Sequence, residues 1–462
     1  MYYLLIALIF LLFLASLKVF DFDLLHPVTG AVAIFLFSAL EGLLQYKEFQ
    51  YSDFTASAVF HIMLGLVSYA VASYLAQILY KKWEIKRSKK MVQDTTTLEI
   101  ERPQEPFQRY QRIDLPIIFL LICILFVFWC CYASYHYMEN YVIQQCGEGD
   151  YTMSQILGIF RSFTTDAAYE TNPPKYLGIS QRLVELGGVF CFFTLAYNIC
   201  LCKVHWKDVF YFAGACSWIA ETLLQSNRGT FLTMLSLLTY LFYYFLKMRN
   251  GWKKRVDIIM GVAACIVLVL FMFVFLQLRI ILGRGSAMTR EQNLYYLTIY
   301  INGGIRDFDI YLRNPTFPAV PGSELFYGIY KSLHVFFNIG DNIVPHLEFV
   351  SLNGVTYSNI FTAFRRFYTA GKEVGIIVWA GLQGVIYTIG YLINRSNLKK
   401  GKVIFNVILF SYFSNAIFYL PVTDMFYMAC FSIGVPARIL LMYLIYFVLF
   451  RKQLNRTAVA TK

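Results

Sequence analysis

Arginines at the edges of apolar runs are the side chains of this chain best equipped for chemistry. Ser226-Asn227-Arg228-Gly229 interrupts an otherwise continuous apolar stretch. Arg306 and Arg313 are seven residues apart and fall on one helical face. Arg365 and Arg366 stand a few residues before another apolar run, and Arg438, in Gly434-Val435-Pro436-Ala437-Arg438, lies inside one. A guanidinium is permanently charged, and its planar fork binds phosphate oxygens in pairs. The chemistry on offer is therefore the grip of an anionic phosphate. Simpler readings compete with it. Arg228 can snorkel to headgroups, Arg365 and Arg366 can rest on anionic lipid, and Arg438 can pair with Glu221 or Asp424. Glu221, seven residues before Arg228, can equally orient it.

Proton-transfer groups are sparser. The six His are dispersed, and His334 and His346 are the imidazoles of the 281–371 segment; each is more simply a surface or core-satisfied side chain. Asp307-x-Asp309 is the nearest thing to a paired-carboxylate motif, and an amphipathic helix explains it as readily. There is no Walker A sequence to support ATP-driven transport, no HExxH, and no DxD-type cluster, so no metal site is expected. Of the ten cysteines, nine lie in apolar runs, where Cys acts as a small hydrophobe. Cys146 stands alone in a polar stretch, so no disulfide framework follows.

These residues sit in a chain of 462, with 58% hydrophobic and 15% charged residues and a mean hydropathy of +0.54. Soluble domains carry about 25% charge, and roughly 20 apolar residues make one bilayer-spanning helix. Eleven such spans can be marked, at 2–19, 27–45, 54–80, 114–135, 181–202, 206–224, 229–247, 258–280, 372–393, 403–421 and 427–450. The runs are continuous, without the ~10-residue alternation of a barrel. The expected fold is all-α, a polytopic membrane helix bundle. This excludes a soluble enzyme, a secreted disulfide scaffold and a nucleic-acid-binding domain, despite the net charge of +12.

Placing the basic segment 81–113 in the cytoplasm puts 25 of the 40 Lys and Arg on that side, as cytoplasmic loops require. The amino terminus then faces outward and the carboxyl terminus inward. Sixteen of the 25 inner residues are Lys, whereas eleven of the fifteen outer ones are Arg. The organisation expected is a three-helix segment 1–80, a solvated cytoplasmic linker 81–113, central helices 114–280 with an outward segment 136–180, a large outward segment 281–371, and C-terminal helices with a cytoplasmic tail, 372–462. The aromatic-rich 281–371 segment is too apolar for disorder and predicts amphipathic or re-entrant helices. Arg438, about 16 Å into a helix starting at Tyr427 at ~1.5 Å per residue, is expected near mid-membrane, where a charge marks a functional site.

An ordered set of motifs completes the sequence picture. Arg228-Gly229 after a span is followed by Tyr300-Ile301-Asn302-Gly303-Gly304-Ile305-Arg306-Asp307-Phe308-Asp309, by Gly322-Ser323-Glu324-Leu325-Phe326, and by Ser358-Asn359-Ile360-Phe361-Thr362-Ala363-Phe364-Arg365. In this order, over about residues 180–420, the chain resembles the Wzy-type oligosaccharide repeat-unit polymerases of O-antigen and capsule synthesis. Many of those proteins carry an Asp-Phe-Gly-like sequence before the ninth span, where this chain has Thr369-Ala370-Gly371-Lys372-Glu373-Val374-Gly375.

The resemblance implies a GT-C-like bundle in a bacterial plasma membrane. It implies a metal-independent glycosyltransferase, without cofactor, that moves a growing glycan from undecaprenyl pyrophosphate onto the terminal sugar of another lipid-linked repeat unit. A chain-length regulator and a flippase are the partners implied. On this reading Arg228, Arg306, Arg313, Arg365 and Arg366 hold pyrophosphate, Asn359 and Tyr300 line the sugar path, Asp309 or His346 serves as base, and Arg438 is secondary. An O-antigen ligase shares the outward segment and the arginines but hands glycan to a lipid A core. A lipid-linked oligosaccharide flippase would show twelve or more spans in two similar halves with short loops.

Overall fold

The computed structural model describes residues 1–94, 110–165, 173–225, 229–281, 289–339, 347–432 and 434–454. Helix occupies every one of the eleven predicted apolar runs. In chain order the helices are α1 (Tyr2–Val19), α2 (Pro27–Glu41), α3 (Ala56–Asp94), α4 (Ile117–Cys146), α5 (Met153–Thr165), α6 (Lys175–Leu201), α7 (Asp208–Leu224), α8 (Gly229–Arg249) and α9 (Arg255–Ile281). There follow α10 (Arg290–Ile301), α11 (Gly303–Arg313), α12 (Tyr327–Phe337), α13 (Ala363–Lys399), α14 (Phe405–Phe413), α15 (Asn415–Phe418), α16 (Tyr427–Cys430) and α17 (Gly434–Ile445). Among the described residues the one sheet is the hairpin of β1 (Ser351–Leu352) with antiparallel β2 (Val355–Thr356), turned at Asn353-Gly354.

Eight helices among the described residues are long and apolar enough to cross a membrane: Tyr2–Val19, Pro27–Gln45, Ala56–Arg87, Ile117–Cys146, Lys175–Leu201, Gly229–Arg249, Ala363–Lys399 and Gly434–Leu454. Their outer faces are apolar, with Ile118, Leu125 and Phe128 of α4 all at least 67% exposed. Water would not tolerate such a continuous stripe. The protein is an all-α membrane protein. Of the other three predicted spans, 206–224 becomes the 17-residue α7, 258–280 lies within α9, and 403–421 breaks into α14 and α15.

Several boundaries differ from the apolar runs for one physical reason. Once a helix is nucleated, each added residue gains a backbone hydrogen bond at little cost, so helices outrun the hydrophobic stretch that started them. α3 continues to Asp94, into the segment expected as a solvated linker. α4 runs to Cys146 and stops at Gly147, whose φ of 88° suits glycine. α6 begins at Lys175, inside the segment expected as a loop. The ninth run starts earlier, at Ala363, as two helical pieces joined at Gly371-Lys372, where the backbone leaves helical geometry.

The 427–450 run is broken. Asp424 accepts the backbone N–H groups of Phe426, Tyr427 and Met428, which starts the short α16. A new helix begins at Gly434. Arg438 therefore lies four residues from a helix start, about 6 Å at 1.5 Å per residue.

The chain divides into two compact units. The first comprises residues 1–108, 253–258 and 294–443; the second comprises 109–252, 259–293 and 444–462. In the first unit the principal packing is α3 against α13, close enough at Gly384 that a Cβ there would lie 2.6 Å from the Tyr69 carbonyl. In the second, α6 packs on α7 and α8, and α4 on α7.

Candidate functional site

The 281–371 segment folds its motifs together within the first unit. α11 is the centre. Gly304 lets it approach the 362 turn and the 420–421 turn: Thr362 N–H donates to the Gly304 carbonyl at 3.2 Å, and Ala363 N–H donates to Leu420 at 2.9 Å. A Cβ on Gly304 would run into the Pro421 carbonyl. In the Asn302-Gly303-Gly304 motif, Gly304 thus serves contact between backbones, while Gly303 faces the Ser358 hydroxyl. Beside them Asn302 donates to the Tyr2 hydroxyl at 2.9 Å and accepts from Tyr51.

Arg306 and Asp309 are both fully buried and form an ion pair. Arg306 also donates to the Gln50 carbonyl at 3.0 Å, and its guanidinium lies 5.6 Å from the Tyr51 ring centre and 5.9 Å from that of Tyr357. Asp309 accepts from Thr55 N–H at 2.9 Å and from its hydroxyl at 2.6 Å, and from Arg313 at 3.3 Å. Arg313 further donates to the Asp53 carbonyl. Both oxygens of Asp309, the carboxylate expected as a base, accept hydrogen bonds, and it holds two arginines and ties α11 to the 51–55 turn.

The second half of the cluster surrounds Arg365, which is 1% exposed. Its Nη1 donates to Glu324 Oε2 at 2.7 Å, and its Nη2 donates to both oxygens of Glu348, at 2.8 and 2.9 Å. The rings of Tyr311 and Phe361 lie 4.6 and 4.7 Å from the guanidinium carbon. Burial pushes the Tyr311 phenol up to about 12. Buried Arg366 donates to the Glu324 carbonyl, and Thr369 donates to the Glu324 side chain at 3.1 Å. Asp307, also fully buried, accepts from Ser358, whose hydroxyl in turn accepts from Ile360 N–H at 3.2 Å. Desolvation pushes the Asp307 carboxyl up to about 8, and burial raises Asp424 to about 6.

The structure thus brings together Arg306, Arg313, Asp309, Arg365 and Arg366 around residues from three motifs. Tyr300, half-buried on α10, accepts a 3.4 Å hydrogen bond from Tyr296. Asn359 is half-buried in the turn after Ser358. Arg438 donates to the Tyr412 hydroxyl at 2.8 Å, while Asp424, one of its suggested partners, caps α16. Arg228 and His346 lie outside the described residues, and Glu221, expected to orient Arg228, accepts from Gln225.

Sequence reasoning passed over four contributors. Glu348 and Thr55 carry no motif, and Glu324 entered only as a letter in one. His61, counted among the dispersed imidazoles, lies 3.3 Å from Glu373 and packs edge-on against Tyr368 and Phe308. A signal existed for Glu324 alone, since a carboxylate inside an ordered motif needs a cation.

No protein-family model, curated protein or solved structure matches the chain.

Proposed function

We propose that this protein is a membrane glycosyltransferase that polymerises lipid-linked oligosaccharide repeat units at the outer face of a bacterial plasma membrane. One observation carries the reading: three motifs spread over residues 300–366 converge on a single buried cluster of arginines. Glu324 of the second motif accepts from Arg365, and Ser358 of the third donates to Asp307 of the first. Arg306, Arg365 and Arg366 are buried, and guanidiniums out of water are costly unless an anion meets them.

In that reaction the donor glycan leaves undecaprenyl pyrophosphate, and negative charge builds on the bridging oxygen as the glycosidic C–O bond breaks. Positioned arginines stabilise that charge where water is excluded. A pyrophosphate is a good leaving group, so the remaining task is orienting the acceptor hydroxyl and receiving its proton. Arg365, Arg366 and Arg306 would face the diphosphate, with Asn359 and Tyr300 along the sugar path. The amino terminus outside and the carboxyl terminus inside would set this cluster on the outer face.

The test is direct. Purified protein incubated with a lipid-linked repeat unit and EDTA should give a ladder of glycan chains. Arg228→Ala and Arg365→Ala should each leave single repeat units on the carrier. Long chains in both variants would defeat the assignment.

A further inference from the structure

The guanidinium of Arg365 is not fully used. Its Nη2 and Nε lie on one edge, the edge that binds two oxygens side by side. Glu348 engages only Nη2, and among the described residues the buried Nε has no hydrogen-bond partner. The two carboxylates on Arg365 also differ in kind. Glu324 is 19% exposed and is held by Thr369 as well. Glu348 is 45% exposed and is held through Arg365. It lies two residues before Val350, where the chain is pinned by the Val350–Ser358 and Tyr357–Val350 backbone bonds.

We infer that Glu348 is the resident occupant of an anion seat on Arg365, and that the seat selects diphosphates over ligands of a single charge. This rests on the polymerase reading for its biological ligand, but not for its chemistry. A tethered carboxylate competes at an effective concentration on the order of millimolar or more. A monoanion arriving at Nη2 replaces one charge by one and gains nothing. A diphosphate brings two charges and enough oxygens to take Nη2 and the unfilled Nε together. Glu348, already half in solvent, loses little when it swings out. The fixed Glu324 stays, and keeps the guanidinium oriented against Tyr311 and Phe361.

The experiment is calorimetric titration of the full-length protein in nanodiscs with inorganic pyrophosphate and with inorganic phosphate at about pH 5.5, where phosphate is mostly the monoanion. Wild type should bind pyrophosphate at least tenfold more tightly than phosphate. Glu348→Gln should bind both about tenfold more tightly than wild type and narrow the ratio between them. Glu348→Ala should do the same if the amide is not tolerated. Asp53→Asn removes an equal charge outside the seat and should change affinity less than twofold. Equal wild-type affinity for the two anions overturns the inference, as does a Glu348 variant with unchanged melting temperature and no gain.

Undecaprenyl diphosphate should displace pyrophosphate from the seat, and failure to compete would overturn a lipid-borne ligand in favour of a free diphosphate. The two readings fail separately. A ladder made by a protein whose Glu348 variants bind no more tightly sinks only the seat. Tight, Glu348-limited pyrophosphate binding without a ladder sinks only the polymerase.

Discussion

Each of the two units holds an arginine between two carboxylates, and the two arrangements are built to different ends. In the second unit Arg112 gives Nε to Asp114 at 3.1 Å, Nη1 to the Lys203 carbonyl at 3.0 Å and Nη2 to Asp208. Asp208 also receives His205 N–H at 2.9 Å and is 7% exposed. Asn198 pairs with both backbone groups of Ile113, at 3.1 Å each, and Tyr211 accepts from Leu115 N–H at 2.8 Å. Each nitrogen is spent: Nε within the extended stretch before α4, Nη1 and Nη2 on fastening that stretch to the turn after α6 and to α7. Asp114 is 43% exposed, much like Glu348, so carboxylate exposure does not separate the two; around Arg365 in the first unit, one nitrogen has no hydrogen-bond partner among the described residues. An arginine between two carboxylates, Asp in one unit and Glu in the other, makes a closed fastener in one place and an open seat in the other. What separates them is whether the donors are satisfied.

The largest expected effect follows from that contrast. Arg365→Ala should cut chain formation by about 100-fold or more, the cost of removing one charge-stabilising donor from a reacting site. Arg112→Ala should lower the melting temperature while the surviving folded protein polymerises at the wild-type rate. Ladder assays normalised to folded protein measure both. Activity lost in Arg112→Ala and kept in Arg365→Ala would invert the comparison.

Next comes the bracket under the seat. Asp309→Asn leaves buried Arg306 without its counter-charge, and breaking a buried pair costs about 3–5 kcal/mol. Chemical denaturation should show this loss, and Asp309→Asn should be more damaging than Glu348→Gln, whose partner keeps Glu324. Gly304→Ala should follow at about 1–3 kcal/mol, the range for overpacking, because the added methyl meets the Pro421 carbonyl. A neutral Gly304→Ala would mean that α11 can slide away from the 362 turn, and the seat would then tolerate more movement than its hydrogen bonds suggest.

Much of this architecture was readable beforehand, and the unreadable part has a common character. Hydropathy is local, so helix lies on every predicted run, and arginine identity and spacing singled out Arg306, Arg365 and Arg366 before any geometry. The partners were hidden because they come from far along the chain. Thr55 meets Asp309 from 254 positions away, and Glu348 is 17 residues from Arg365 in a stretch without periodicity. A single sequence records which groups need a counter-charge, not which ones supply it. The break in the last apolar run was hidden for a related reason: Asp424 folds back to accept the backbone N–H groups of Phe426, Tyr427 and Met428, which starts a short separate helix.

A pH-dependent effect probes the carboxylates themselves. If the cluster were a set of anions balancing cations, every acid in it would favour high pH. Asp307 departs from that, because burial holds its folded-state carboxyl near 8 against an ordinary value of 3.8. Between those values the folded chain keeps a proton that the unfolded chain has released. Stability contributed by the neutral acid is therefore complete below about pH 4 and drains away as pH rises toward 8. The slope cannot exceed about 1.4 kcal/mol per pH unit for one proton. Asp307→Asn imitates the protonated acid, so its stability relative to wild type should rise from pH 5 to pH 8 and level off above. Denaturation midpoints of the two proteins across that range decide it. A constant difference would mean that Asp307 is ionised when folded, and the cluster around Arg306 would then carry one more negative charge than the open seat at Arg365 requires.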